Sequence, residues 1–169
     1  MYKRIFKSIS NKIYSLQDVE NYKNSIFLAG PTYRVKDNMH LDRRSWRKDA
    51  IDIFENLNFD GTLIIPEWVE DKKPKDWSYE KQVQWEVDNL DKCSIVLFWI
   101  PRDLTELPAF TTNVEFGYYI DNPKSIAGST KTAENNRYLI ERFKMINKPW
   151  FYDLENLCSY AMNLLKNIN

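Results

Sequence analysis

A glutamate that follows a strand and a polar loop, Glu115, has the setting in this sequence that most suggests chemistry. Residues Ile95 to Ile100 form a continuous apolar run, which is typical of a strand covered on both faces in a parallel α/β sheet. Ligands bind beyond the carboxyl ends of such strands, where Pro101 to Asn113 would lie. Glu115 would then occupy the first turn of the next helix. Glu115 could have either of two roles. It could complement the helix dipole, with Thr112 or Asn113 as the cap, or it could take part directly in a reaction.

Spacing alone favours the capping interpretation of Glu115, because capping acids are commoner than catalytic ones. Two features favour a catalytic role for Glu115. The loop lies at the carboxyl end of a strand, and Gly117 leaves one side of the helix without bulk, so that a substrate or a neighbouring helix could approach closely.

A second acid, Glu86, lies in the middle of a predicted helix from about Tyr79 to Asp91. Val83, Val87 and Leu90 mark the predicted buried stripe of that helix, and Glu86 falls on or beside it. A carboxylate is unusual there unless it is paired or functional. Its alternative role is to pair with an arginine such as Arg34 or Arg102.

Two carboxylates that converge on one cleft can break an acetal-type bond: one attacks the anomeric carbon, and the other manages protons or holds the sugar. Such chemistry needs no metal or redox cofactor. His40, the only histidine, lies in a predicted loop and gives little support to a Ser-His or Cys-His pair. Gly30-Pro31-Thr32 lacks the spacing of a dinucleotide fingerprint or a P-loop. We interpret Gly30 as a tight turn that lets a ligand approach the backbone, and Arg34 or Arg102 as residues able to hold a phosphate.

The elements that must position these acids alternate between strands and helices, which predicts βαβ units and a doubly wound, largely parallel sheet. The loops that carry Gly30-Pro31-Thr32, Pro66-Glu67 and Pro101 to Thr112 should meet at one cleft, because right-handed crossovers place them on one edge. The predicted strands are Lys12 to Leu16, Ser25 to Ala29, Thr62 to Ile65, Ile95 to Ile100, Ser125 to Ala127 and Lys148 to Phe151. The predicted helices are Asp42 to about Leu57, Tyr79 to Asp91, Asn113 to Ile120, Ala133 to Met145 and Leu154 to Ile168.

The composition indicates one ordinary globular domain: 169 residues, with 24 basic and 24 acidic side chains in balance. The basic residues Arg43, Arg44, Arg47 and Lys48 read as the solvated face of one helix, so we expect no nucleic acid polymer as a partner. Cys93 and Cys158 have no metal-like spacing and are expected to be reduced buried thiols. The chain shows neither a secretory signal nor a run long enough to span a bilayer. We therefore expect a soluble, cytoplasmic protein without membrane partners.

The chain contains an ordered set of short blocks: SIFLAGPT (25–32), SWRKDA (45–50), IIPE (64–67), QVQWE (82–86), IVLFWIPR (95–102), FTTNVEFG (110–117) and RYL (137–139). This set resembles the nucleoside 2-deoxyribosyltransferase superfamily, and more narrowly its branch of deoxyribosyltransferase-like proteins. The resemblance implies a Rossmann-like sheet of about five parallel strands, with residues 1–24 as an N-terminal extension that holds a possible short strand and residues 25–169 as the domain.

The resemblance also implies cleavage of the N-glycosidic bond of a 2′-deoxynucleoside or deoxynucleotide through a covalent glutamyl intermediate, with transfer to another base or to water. The nucleophile falls in the motif Asn113-Val114-Glu115-Phe116-Gly117, and the second carboxylate, often aspartate in the family, falls on Glu86. A small-molecule substrate, no cofactor and a homo-oligomer are expected. The candidate substrate-binding residues are Gly30, Pro31, Thr32, Trp85, Trp99, Arg102, Thr112 and Asn113; core packing is the favoured role of Trp99, and a surface role is the default for Arg102.

Two other functions stay open from the sequence. The chain could be a non-catalytic nucleotide-binding or regulatory module that retains the cavity, or an enzyme that cleaves the nicotinamide–ribose bond of NAD.

Overall fold

Six parallel strands form one sheet in the order β1-β3-β2-β4-β5-β6. The computed structural model describes residues 13–15, 18–33, 45–67 and 77–168. The strands are β1 (Ile13–Ser15), β2 (Ser25–Ala29), β3 (Thr62–Ile65), β4 (Ile95–Trp99), β5 (Ser125–Gly128) and β6 (Trp150–Phe151). The helices are α1 (Trp46–Asn56), α2 (Tyr79–Lys92), α3 (Phe110–Tyr119), α4 (Arg137–Met145) and α5 (Leu154–Ile168). The predicted doubly wound α/β fold is confirmed, with the three-residue β1 added beside β3 at one edge.

The strand order reverses between β2 and β4, which are neighbours in the sheet. From β2 the chain passes through α1 to β3 on one side, and from β4 it passes through α3 to β5 on the other. The two loops that leave β2 and β4 therefore diverge and open a crevice between them. Ligands of open α/β sheets bind at such a switch point.

The sheet is covered on both faces, which explains why its strands read as continuous apolar runs. Successive side chains alternate between the faces. Leu28 and Trp99 point to the layer of α1 and α5, whereas Phe27 and Phe98 point to the layer of α2, α3 and α4. Each face thus carries its own apolar core, and the face that a strand residue occupies decides which helices it contacts.

Three predicted helix starts differ from those observed, those of α1, α4 and α3, the last of which begins at Phe110 and not at Asn113. Helix α1 begins at Trp46 after Ser45, whose hydroxyl accepts a hydrogen bond from the Arg47 N–H at 3.3 Å. The predicted cap of this helix, Asp42, lies outside the described residues, as do Arg34, His40, Arg43 and Arg44. Helix α4 begins at Arg137 and not at Ala133, since a turn region precedes it.

Two predicted helix faces are wrong. Arg47 was expected on a solvated face of α1 but is 0% exposed, and Lys48 beside it is also buried. On α2, Val83 and Val87 are 41% and 45% exposed. The reason is helical spacing. The buried positions of α1 include 47, 50, 51 and 54, which follow i, i+3, i+4 and i+7, and those of α2 are 82, 85, 89 and 90, which follow i, i+3, i+7 and i+8.

The remaining predictions concern the termini, the cysteines and the membrane. β1 lies within the strand predicted near Lys12 to Leu16, and the division into residues 1–24 and 25–169 stays a prediction. Cys93 and Cys158 are both buried and free. Within the ranges that the structure describes, no helix has the length and apolar character needed to cross a membrane.

Gly30 closes β2 in a backbone conformation with φ of 154°. A Cβ at this position would lie 2.2 Å from the carbonyl oxygen of Trp99 and 2.8 Å from the indole ring of Trp46. The glycine therefore lets the loop after β2 pack closely against β4 and α1. The tight turn predicted at Gly30 is confirmed, and the close approach of a ligand to its backbone stays a prediction.

We predict that Gly30→Ala destabilises the fold by about 2 kcal/mol or more, because the new methyl group meets a backbone oxygen that cannot move freely. Gly117→Ala is the matched control. Nothing lies within 4 Å of a Cβ built at Gly117, and alanine in a helix interior is worth about 0.5–1 kcal/mol over glycine. Urea unfolding of both variants measures the difference, and an equal effect of the two substitutions would contradict the packing role of Gly30.

Candidate active site

A cavity of about 250 Å³ lies at the switch point between β2 and β4, among the residues that the structure describes. The three loops predicted to converge do so here. Its walls come from the loop after β2, the end of β3, the first half of α2 and the start of α3. The residues that line it are Phe27, Ala29, Gly30, Pro31, Thr32, Pro66, Tyr79, Gln82, Glu86, Pro108, Ala109, Phe110, Thr111, Thr112 and Glu115.

Glu115 lies in the second turn of α3, because the helix begins at Phe110, three residues earlier than predicted. Ala109 precedes the helix with φ of 59° and makes no side-chain cap. The interpretation of Glu115 as a first-turn capping acid, with Thr112 or Asn113 as the cap, is therefore wrong. Thr111 and Thr112 precede Glu115 by four and three residues, so all three face the cavity from one side of the helix.

Glu86 lines the same cavity from α2 and accepts a hydrogen bond from the Gln82 side-chain amide at 2.8 Å. The arginine proposed as its alternative partner, Arg102, instead donates to the side chain of Asn113 and to the Asn135 carbonyl. Gln82 was missed at the sequence level. Its position four residues before Glu86 was the signal that could have identified it.

The two glutamates hold their protons more tightly than free carboxyl groups do. Burial raises the pKa of Glu115 to about 8, with a further rise from the negative charge of Glu86 and an opposing effect of Arg47. Burial also raises the pKa of Glu86, while the hydrogen bond from Gln82 and the charge of Arg47 lower it. Like charges that share a low-dielectric site titrate as a pair. The site therefore favours one carboxylate and one carboxylic acid over two carboxylates near neutral pH.

Behind the loop after β2 lies a buried ion pair, one member of which, Arg47, was predicted to be on a solvated face. The Arg47 guanidinium contacts the Glu67 carboxylate at 2.8 Å, and the side chains are 0% and 1% exposed. The other Glu67 oxygen accepts a hydrogen bond from the Ser45 hydroxyl at 2.8 Å. The pair thus joins the start of α1 to the end of β3. The signal for Arg47 was its spacing of three, four and seven residues from the buried Ala50, Ile51 and Phe54.

Four residues predicted to bind substrate lie outside this cavity. Trp85 is buried and packs on Phe27, with ring centroids 6.0 Å apart. Trp99 lies on the opposite face of the sheet, because every second residue of β4 points there. Asn113 is two residues, or about 200°, around α3 from Glu115 and points to Arg102. The predicted residues that the structure brings together are Gly30, Pro31, Thr32, Glu86, Thr112 and Glu115.

The mouth of the cavity carries two exposed aromatic residues that the sequence analysis did not single out. Tyr79 begins α2, Phe110 begins α3, and both side chains are largely exposed while they line the cavity. Aromatic rings in such a position offer flat surfaces on which a base can stack. The cavity thus has two glutamates, Glu86 and Glu115, on its walls and two aromatic residues at its mouth.

The comparisons with known proteins agree with this geometry. The family model described as nucleoside 2-deoxyribosyltransferase like matches residues 23–133. A solved structure of a 2-deoxyribosyltransferase from the psychrotolerant bacterium Bacillus psychrosaccharolyticus is similar in fold, with a TM-score of 0.56 over 83% of this chain and 95% of that chain at 16% identity. No curated protein sequence matches the chain. The chain belongs to the nucleoside 2-deoxyribosyltransferase-like family.

Proposed function

We propose that this protein cleaves the N-glycosidic bond of a 2′-deoxynucleoside or deoxynucleotide, with Glu115 as the nucleophile. The observation that carries the proposal is the pair of partly buried glutamates, Glu115 and Glu86, that line one cavity at the switch point of the sheet. Family membership supports the same class of reaction. Helix capping does not explain the presence of an acid at position 115, because α3 begins at Phe110 and Glu115 lies in its second turn.

In the first step the Glu115 carboxylate attacks C1′ of the sugar. A C–O ester bond forms at C1′, the C1′–N bond breaks, and its electron pair leaves with the base. The departing base nitrogen takes a proton from solvent, because Glu86, whose negative charge contributes to the raised pKa of Glu115, is already ionised where Glu115 is a carboxylate; Glu86 accepts hydrogen bonds from the sugar hydroxyls instead. The negative charge of the Glu115 carboxylate stabilises the positive charge that develops at C1′.

In the second step a nitrogen of another base, or water, attacks C1′ of the ester. The C–O bond to Glu115 breaks, and the carboxylate is regenerated. The Glu86 carboxylate accepts the proton of the incoming nucleophile and returns it to solvent. Two displacements at C1′ return the original configuration of the sugar. Tyr79 and Phe110 are placed to stack on the bases at the mouth.

Glu115→Gln should lower the rate of base exchange by about a thousand-fold or more, because the amide cannot form the ester. The assay incubates the protein with a panel of 2′-deoxynucleosides and 5′-monophosphates plus a free base. Chromatography then detects both the exchanged nucleoside and the free sugar.

The same substitution should leave the protein folded, and at pH 8 at least as stable as the parent, since it removes a carboxylate from a buried site. Unchanged turnover in Glu115→Gln would contradict the mechanism. Binding of nucleosides without any product would favour a non-catalytic module, and nicotinamide release from NAD would favour the NAD-cleaving alternative.

We predict that kcat/KM rises with pH along a limb with its midpoint near 8, because the nucleophile must be ionised and burial raises the pKa of Glu115 to about 8. Glu86→Gln removes the like charge, so the midpoint should move to lower pH by about one unit even though the rate falls. A midpoint that stays in place, or moves upward, would show that the two glutamates do not share a site. The pH profile of kcat/KM for both proteins makes the measurement.

We also propose that the protein is a homo-oligomer. Two exposed apolar rows run side by side down α2 and α3, each at a spacing of four residues, and each begins at the cavity mouth. A second copy on these rows would remove them from water and close the open side of the cavity. The rows are Tyr79, Val83 and Val87 on α2, and Phe110, Val114 and Tyr118 on α3.

Sedimentation at micromolar concentration should show a dimer or a larger assembly, and Val114→Glu should dissociate it, because a charge at the centre of an apolar contact is left unpaired. Ile168→Glu is the matched control, since Ile168 is also exposed but belongs to α5 on the opposite face of the sheet. A monomeric parent protein, or equal effects of the two variants, would contradict this proposal.

A further inference from the structure

We infer that Arg47 is a positioning residue for the proposed reaction: held by Glu67, it sets the wall of the cavity formed by residues 30–32 and supplies positive charge to the two glutamates from behind that wall. The inference rests on the proposed function, because it takes Glu115 and Glu86 as the catalytic pair. Arg47 itself does not line the cavity. It therefore acts through other residues and is not expected to touch the substrate.

The Arg47 side chain binds several backbone carbonyl groups in and after β2. The Arg47 guanidinium donates to the carbonyl oxygens of Leu28 at 2.9 Å and Gly30 at 2.7 Å, and to that of Pro31 at 3.4 Å. It also donates to the Thr32 hydroxyl at 3.1 Å. Residues 30–32 line the cavity, so the carbonyls of Gly30 and Pro31 are engaged by a group behind the wall.

Glu67 holds the guanidinium in this position. One carboxylate oxygen accepts from Arg47 and the other from Ser45, the cap of α1. A planar guanidinium is suited to several directed hydrogen bonds at once, which a lysine ammonium on a flexible stem cannot reproduce. Glu67 also neutralises Arg47, so the net charge behind the wall is set by the two residues together.

Titratable and charged groups from several elements surround Glu115. Helix α2 presents Glu86 and Tyr79 to the same cavity, α1 presents Arg47 from behind the wall, and Glu67 follows β3. Arg47 lowers the pKa of both Glu115 and Glu86 against the larger effect of burial. The two members of the ion pair should therefore act on the titration of Glu115 in opposite directions, which a purely structural pair would not do.

The test measures the titration of Glu115 directly. Protein labelled with ¹³C-glutamate is titrated by NMR, and the Glu115 side-chain signal is assigned by its loss in Glu115→Gln. Glu67→Gln, which is isosteric, leaves Arg47 without its counter-charge and should lower the midpoint by about half a unit or more. Arg47→Met should raise it. Arg47→Lys keeps the positive charge, so the midpoint of the Glu115 titration should not change. KM should rise about ten-fold, because the loop after β2 loses directed hydrogen-bond donors.

Lys144→Met is the matched control. It breaks an exposed ion pair with Glu141 outside the cavity and should change neither midpoint nor KM. The near-UV circular dichroism of each variant reports whether it is folded, and Glu67→Gln carries the test if Arg47→Met does not fold. An unchanged midpoint in folded Glu67→Gln, or shifts of the same sign in Glu67→Gln and Arg47→Met, would overturn the inference.

The titration needs no substrate, so it separates the inference from the proposed function. If no deoxynucleoside is turned over but the midpoints move in opposite directions, the proposed reaction fails while the electrostatic role of Arg47 stands. If turnover depends on Glu115 but the midpoints do not move, the reaction stands and the inference fails.

Discussion

The buried ion pair between Arg47 and Glu67 is the interaction on which the shape of the cavity depends. The 2.8 Å contact lies where α1 begins and where the chain leaves β2 and β3. Removing two charges from water is costly unless every remaining hydrogen-bonding group finds a partner. Here the backbone carbonyls after β2 and the hydroxyls of Ser45 and Thr32 supply those partners. Breaking a buried pair from one side typically costs about 3–5 kcal/mol. The stability of this edge of the sheet and the shape of the candidate site are therefore physically coupled.

The parallel sheet imposes a second constraint, because its pleat and its strand order decide which side chains can meet. Neighbouring residues of β4 point to opposite layers, so Phe98 joins the core under α3 while Trp99 joins the core under α1 and α5. The reversal of strand order at β2 and β4 opens a crevice that α2 and α3 flank. Glu86 and Glu115 come from those two helices, which explains why acids 29 residues apart in the chain line one cavity.

The cavity is also where the chain departs from the usual pattern of its own elements. Polar or charged side chains, Gln82 and Arg47, occupy positions that an ordinary amphipathic helix gives to apolar residues, while Val83 and Val87 are exposed. Burying the carboxyl groups raises their pKa values, which disfavours the folded state once they ionise. Such violations of local rules are expected where function, and not stability, selects the residues. In this protein Gln82 lines the crevice, and Arg47 lies directly behind the loop that forms one of its walls.

The order and type of the elements could be read from the chain, because apolar runs such as Ile95 to Ile100 and breakers such as Pro101 act locally. The convergence of three strand-end loops followed from the handedness of parallel connections. The buried faces of α1 and α2 could not be read from hydrophobicity alone, since Arg47 is buried through partners distant in the sequence and Gln82 is buried beside Glu86, its partner one helical turn away. Nor could the position of Glu115 be read from spacing alone, because α3 begins at Phe110, earlier than expected, and this places Glu115 in the second turn on the wall of the cavity. Local sequence specifies secondary structure, whereas burial and charge at a site are set by long-range contacts that only the folded chain brings together.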